Sequence, residues 1–278
     1  MNEPSLPAPT SLPARTSLPI LLSVPHSGRA YPDWLIASAC GGRDALESLE
    51  DPLVDRLAWR ALGLGVGAII ATAPRAAIDC NRAPDEIDPA VIVGAAPATS
   101  PRAIAGLGIV PGRTARHGHL WHRPITRADL DRRIADAHAP YHDAIERGLD
   151  HLAIAHGAAI LLDCHSMPTR RGQAQIVIGD RHGTSAAPHI TAAAARIARA
   201  LGFTVALNQP YAGGHIVERH GQPEADIHAL QIEIDRSCYL ATDGRTPGPG
   251  FDRAARLLEA LVTGLAATFP ASVPLAAE

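Results

Sequence analysis

Between residues 20 and 234, short apolar runs alternate with stretches of helical periodicity, and that alternation leaves few folds open to the chain. Ile20 to Val24, Val66 to Ala73, Ala76 to Asp79, Ala159 to Asp163, Gln175 to Gly179, Thr204 to Leu207 and Leu230 to Ile234 read as strands. Runs without a polar side are buried on both faces, which implies a mostly parallel sheet with helices against each face. Helices are expected near 48 to 63, from about Thr126 to Ala155, from Ser185 to Leu201 and near 251 to 268. The second is the most explicit. Thr126 and Asp129 stand at capping-box spacing, and Ile134, Ala137, Tyr141, Ile145 and Leu149 recur at helical intervals. The expected class is α/β, a three-layer α/β/α arrangement around a mostly parallel, mixed sheet.

A chain of 278 residues can bury one large α/β core, and no linker divides it. Residues 1 to 18, rich in Pro, Ser and Thr with the fragment Thr-Ser-Leu-Pro repeated, read as a flexible leader; residues 19 to 272 read as a single domain. With 46% hydrophobic and 19% charged residues, the composition is that of a globular protein rather than a disordered one. The net charge of -3 and the scattered arginines lack the electrostatic footprint of nucleic-acid binding. Cys40, Cys80, Cys164 and Cys238 form no C-x-x-C pair and read as reduced thiols. No apolar run approaches a bilayer span, and no basic then apolar start marks secretion, so a cytoplasmic protein without membrane association is expected. A monomer or small homo-oligomer is expected.

In open α/β sheets, ligands bind beyond the carboxyl ends of the strands, and the polar motifs fall there. Val24 runs into Pro25-His26-Ser27-Gly28, Ile78 into Asp79-Cys80-Asn81-Arg82, Leu162 into Asp163-Cys164-His165-Ser166, and Ile232 is followed by Glu233 and Asp235-Arg236. A catalytic zinc site takes about three His or carboxylate ligands and leaves one position open. His26 and His165, each at a strand end, suit such a site. Glu50 and Asp51, at the start of the expected helix Glu50-Asp51-Pro52-Leu53-Val54, both offer the third ligand, and Asp51 is preferred. Taken singly, each has a plainer role: a turn for His26, a hydrogen-bonded core position for His165, a helix cap for Asp51. Glu233 lies inside an apolar run, where a carboxylate is costly to bury; it reads as a general base, with an ion pair to Arg236 as the alternative. Asn81 and Arg82, with Arg75 as a weaker partner, are candidates to clasp a substrate carboxylate, against a surface pair with Asp85 or Glu86. His215, after the pair Gly213-Gly214, is a further candidate for contacting substrate, against a plain turn. His117-Gly118-His119 lies in a loop around 109 to 123 that reads better as a lid than as a metal pair.

These motifs, together with Tyr141-His142, Asn208-Gln209-Pro210-Tyr211-Ala212-Gly213-Gly214 and Leu230-Gln231-Ile232-Glu233-Ile234-Asp235-Arg236, occur in order from about 20 to 240 and resemble the N-formylglutamate amidohydrolase family. That family is similar to the zinc carboxypeptidases and to the succinylglutamate desuccinylase and aspartoacylase group, so the resemblance implies a phosphorylase/hydrolase-like, zinc-carboxypeptidase-like three-layer fold. It further implies a metal on His26, Asp51 and His165, a general base at Glu233, and an Asn81-Arg82 pair for the substrate carboxylate. The chain departs from the family where an acidic-Trp-His stretch is usual and Glu50-Asp51-Pro52-Leu53-Val54 stands instead.

The reaction expected is hydrolysis of the acyl-amide bond of a small N-acyl amino acid, N-formyl-L-glutamate above all, with one divalent ion. Zinc is preferred because two imidazoles and a carboxylate suit it, and nickel, cobalt or iron would fit nearly as well. The rivals are another N-acyl amino acid or short peptide as substrate, Cys164 acting as nucleophile beside His165, and a non-catalytic metal-binding relative. Against Cys164 stands its position: neighbours on a strand point to opposite faces.

Overall fold

Seven strands build the central sheet of the computed structural model, which describes residues 5–98 and 100–269. The strands are β1 (Thr10–Leu12), β2 (Ile20–Val24), β3 (Gly67–Ile70), β4 (Arg113–Thr114), β5 (Gly118–His119), β6 (Ala159–Met167), β7 (Ile176–Gly179), β8 (Val205–Leu207) and β9 (Ile227–Asp235). Their order in the sheet is β1-β3-β2-β6-β9-β7-β8, with β4 and β5 forming a separate hairpin. β3, β2, β6 and β9 run parallel; β1 pairs antiparallel with β3, and β7 antiparallel with β9, so the sheet is mixed.

The helices are α1 (Asp33–Ser38), α2 (Gly42–Glu47), α3 (Val54–Leu57), α4 (Trp59–Gly63), α5 (Pro101–Ile104), α6 (Arg127–Arg133), α7 (Ala139–His156), α8 (Pro188–Ala200), α9 (His215–His220) and α10 (Phe251–Ala266). Strand side chains alternate between the two helical layers. Ile20, Leu22, Ile160, Leu162, Cys164, Leu230 and Ile232 share one core with α3, α4, α8 and α10, whereas Leu21, Leu161 and Ala229 pack with Tyr141, Ile145 and Leu149 of α7. A third apolar cluster, including Leu35, Leu46, Ile78, Ile92, Ile109 and Leu120, consolidates the largely irregular segments that leave the carboxyl ends of β2 and β3. No helix among the described residues is long and apolar enough to cross a membrane.

Four expectations need correction. The segment 76–79 is a buried turn rather than a strand: Ala77 and Ile78 donate to the Pro74 carbonyl, and Asp79 N–H finds Ile109 instead of a sheet neighbour. The helix expected near 48 to 63 begins only at Val54, because Leu53 has a left-handed backbone (φ 61°) that no helix continues. The expected flexible leader is ordered over its described part. Leu6 is buried, and the first Thr-Ser-Leu-Pro copy supplies β1, a short edge strand bounded by Pro13; residues 1–4 of that leader and 270–272 of the expected domain lie outside the described residues. The helix from Thr126 is capped as expected, the Thr126 hydroxyl accepting from Asp129 N–H, but it holds a π-turn over Ile134–His138. Pro140 explains that turn: it lacks an amide and would crowd the carbonyl four residues back, so the helix takes up one more residue there.

Candidate metal centre and active site

β2, β6 and β9 lie side by side, and their carboxyl ends deliver His26, His165 and Glu233 to one place. Residues two apart on a strand share a face, so Asp163 and His165 of β6, and Gln231 and Glu233 of β9, all turn away from the Leu162–Cys164 side; His165 and Glu233 are direct register partners. Asp51 comes from the turn before α3, tied to the first motif by its N–H bond to the His26 carbonyl (3.0 Å) and by Ser27 Oγ donating to the Asp51 carbonyl.

The three side chains converge through particular atoms. His26 Nδ1 and His165 Nδ1 each lie 3.2 Å from Asp51 Oδ2 and 3.1 Å from one another, and all three residues are buried. The opposite nitrogens face carboxylates at 2.8 Å: His26 Nε2 donates to Asp79 Oδ1, and His165 Nε2 to Asp163 Oδ2. A carboxylate accepts only, so both Nε2 atoms carry protons, and in the neutral form that would ligate a metal both Nδ1 lone pairs point at Asp51 and at each other. Three electron-rich atoms so disposed repel unless a cation or extra protons stand between them. Their spacing suits an ion about 2.0–2.1 Å from each ligand, which in a tetrahedral shell sets ligand atoms about 3.3 Å apart. Asp79 and Asp163 are the carboxylates that metal-binding imidazoles use to fix tautomer and ring orientation. The residues therefore fit one divalent ion. Glu50 is excluded from this triangle; Tyr31 Oη donates to its Oε1 at 2.5 Å.

The surrounding charges reinforce the arrangement. Burial opposes ionisation of Asp51 and Asp79. When no ion is bound, protons shared with His165 and His26 stand where it would and outweigh burial for Asp51, and Arg75 with His26 does so for Asp79, holding both carboxyls well below the usual range. Glu233 goes the other way: burial, with Asp51 and Asp163 nearby, pushes it up to about 7 against the pull of His165 and Arg75. Gln231 Nε2 donates to Glu233 Oε1 at 2.8 Å. Arg236 does not pair with Glu233. It donates to Asp51 Oδ1 (3.2 Å), the Glu50 carbonyl (2.5 Å) and Ser166 Oγ (3.1 Å), and so braces the acidic corner.

The substrate-side candidates separate. Arg82 is buried, with Nε on the Leu107 carbonyl and Nη1 on the Asn81 carbonyl, and no carboxylate among the described residues pairs with it. Arg75 gives Nε to Asp79 Oδ2 at 2.9 Å and stays partly exposed, in the field of Asp51 and Glu233. Asn81 is already engaged, Oδ1 accepting from Ile216 N–H and Nδ2 donating to Gln231 Oε1. His215 stacks on His138 and meets His142 edge-on, in a second group of histidines separate from His26, Asp51 and His165. From the same segment, burial pushes the Tyr211 phenol up, with Glu233 and Asp51 adding to the effect.

A family model described as N-formylglutamate amidohydrolase matches residues 18–240. The chain belongs to the N-formylglutamate amidohydrolase family. N-formylglutamate deformylases of Pseudomonas putida and Pseudomonas aeruginosa are 29% and 28% identical over 230 residues, covering 79% of this chain and 80% and 81% of theirs. The crystal structure of N-formylglutamate amidohydrolase from Ralstonia eutropha JMP134 aligns with a TM-score of 0.86 at 32% identity, over 94% of this chain and 98% of that one. The gene product Atu2144 of Agrobacterium tumefaciens shares the fold at a TM-score of 0.70 and 17% identity, over 94% of each chain. In this N-formylglutamate amidohydrolase family member, sequence reasoning overlooked Asp79, Asp163, Gln231, Arg236 and Tyr211 as members of the site. Asp163-x-His165 and Gln231-x-Glu233 carried a usable signal, since alternate strand residues share a face. Arg236 stood in a strand-end motif, but its partner could not be read, Asp51 lying 185 residues away.

Proposed function

We propose that the chain hydrolyses N-formyl-L-glutamate to L-glutamate and formate with one divalent ion, zinc by preference, held by His26, Asp51 and His165. The observation that carries this reading is the convergence of two imidazole lone pairs and a carboxylate beside a buried glutamate in a member of this family. The names of the Pseudomonas and Ralstonia relatives supply the substrate. A bound ion would polarise the formyl carbonyl and ease ionisation of a water. Glu233, raised towards neutrality by burial, takes the proton of the attacking water and returns it to the leaving amine, so one water is consumed and formate and amino acid depart. Gln231 holds one oxygen of Glu233 and leaves the other to move the proton.

Arg82 supports an anionic substrate. A guanidinium buried without a carboxylate is costly, and a substrate carboxylate would offset that cost. Arg75, in the field of Glu233, keeps further N–H groups beyond the one it gives to Asp79. A cavity of about 530 Å³ adjoins the acidic corner through Glu50 and Arg236, and its arginines, Arg113 and Arg116 among them, outnumber the acids Glu47, Glu50 and Asp243, a balance that favours anions. The test is release of formate from N-formyl-L-glutamate by the purified protein, beside N-formyl-L-glutamine and N-acetyl-L-glutamate. Preferred turnover of the first supports the assignment. Preference for either analogue moves the substrate within the N-acyl amino acids, and turnover of none contradicts the proposal.

A further inference from the structure

Histidines 138, 142, 215 and 220 make a second imidazole group behind the Asp79–Arg82 segment. His138 and His142, one helical turn apart, have ring centroids 4.5 Å apart; His220 lies nearly coplanar with His142 at 5.2 Å, and His215 meets it edge-on at 5.1 Å. Nitrogens of His138, His142 and His215 lie within 4.8 Å of one another, a spacing that would admit an ion. The proton positions argue against one. His142 Nε2 is 2.9 Å from the Cys80 carbonyl, which can only accept, so Nε2 carries the proton. His142 Nδ1 is then a lone pair, and it accepts from His220 Nε2–H at 2.9 Å. His138 Nε2 donates in the same way to the Arg82 carbonyl at 2.9 Å. His142 has no lone pair left for a metal.

What this group does follows from what it holds. Asp79–Arg82 is an irregular buried turn whose carbonyls have no sheet neighbours, and the imidazoles supply the donors a β-ladder would have given. The same four residues carry Asp79, which orients His26, and Asn81, which ties Gln231 to the start of α9. We propose that His142, locked in one tautomer by His220 and assisted by His138, is a positioning residue that fixes the Asp79 carboxylate on His26 and thereby sets the affinity of the metal site. Burial, with His138, His215, His220 and Arg219 around it, keeps His142 neutral, as the geometry requires.

The inference rests on the metal reading above, and the experiment separates the two. Zn²⁺ dissociation constants are measured by competition with a chromophoric chelator for wild type, His142→Leu, His142→Gln, Asp79→Asn and the His142→Leu/Asp79→Asn double variant. His142→Leu weakens zinc binding by about 10-fold. His142→Gln recovers most of the loss, since its amide still donates to the Cys80 carbonyl. In the Asp79→Asn background His142→Leu adds less than about 2-fold, because the residue through which it acts is already gone. Wild-type affinity in His142→Leu, or losses that multiply in the double variant, would overturn the proposal, as would a second zinc equivalent that only His142→Leu abolishes. If His142→Leu does not fold, His220→Leu replaces it in the same cycle, with a smaller loss in the same direction. A wild type that binds no zinc contradicts the metal reading itself. The imidazole ¹⁵N shifts of the metal-free protein then decide: neutral Nε2–H tautomers at His138 and His142 at pH 6 support the locked network, and charged or Nδ1–H rings overturn it.

Discussion

Glu233 sits where a carboxylate is expensive, on a strand buried on both faces, and its register against His165 is what the proposed general-base role draws on. Glu233→Gln keeps the shape and the Gln231 neighbour but removes the proton acceptor. It is expected to lower kcat by about 10²- to 10⁴-fold with metal content unchanged; steady-state rates beside elemental analysis check this, and an unimpaired kcat refutes the role. Cys164 gives the complementary case. Its side chain belongs to the Leu162 core face, away from His165, and burial pushes its thiol up, out of reach of thiolate chemistry. Cys164→Ser should retain kcat within about 3-fold at some loss of stability, and abolished turnover in a folded variant would reinstate a cysteine nucleophile. At this scale His26, His165 and Glu233 were legible because a polar residue at the end of an apolar run stands out. The choice between Glu50 and Asp51 was not legible, because the two are adjacent in sequence and only long-range bonds, Asp51 N–H to the His26 carbonyl and Glu50 to Tyr31, separate them. Nor was the occupation of Asn81, whose partners lie 135 and 150 residues away.

Among elements, the turn after β2 matters most, since it carries His26 against the end of β3. Gly28 permits that approach: a Cβ there would stand 2.1 Å from the Ala73 carbonyl oxygen and 2.8 Å from that of Thr72, both backbone atoms that cannot swing aside. Gly28→Ala is expected to cost about 1–3 kcal/mol of stability and, by shifting His26, to weaken zinc binding; urea denaturation and chelator competition read the two effects. An unchanged midpoint would mean that the turn after β2 can move away from Ala73 without cost. β2, β6 and β9 could be read from sequence because strands covered on both faces are continuously apolar. β1 could not: three exposed residues between prolines have no hydrophobic period, and only pairing with β3 makes them a strand. The turn at 76–79 was misread for the opposite reason, being apolar because the third cluster buries it, not because a sheet does. Helices α1, α2, α5 and α9 are too short to establish a period.

For the molecule as a whole, the buried histidines behind Asp79–Arg82 set an acid limit. Burial, with Arg219 and His215 nearby, pushes His220 down to about 3 from an ordinary 6.5. Below pH 6.5 the unfolded chain binds a proton that the folded one refuses, so this contribution is present at neutral pH and is lost as pH falls towards 3. Between pH 7 and pH 5 that amounts to about 2 kcal/mol for one such histidine. The loss of stability on acidification should therefore be shallower in His220→Leu than in wild type by about that amount, as measured by urea midpoints of the metal-free proteins at both pH values; parallel losses would place the acid sensitivity elsewhere. The central claim is that a single ion at His26, Asp51 and His165 makes the protein a hydrolase. Its most direct test is to strip the protein with chelator and titrate Zn²⁺ back while following formate release from N-formyl-L-glutamate. Activity should be negligible without metal, rise in proportion to added zinc and level off at one equivalent per chain, with no such rise in Asp51→Ala; full activity in the metal-free protein, or an unaltered titration in Asp51→Ala, would contradict it.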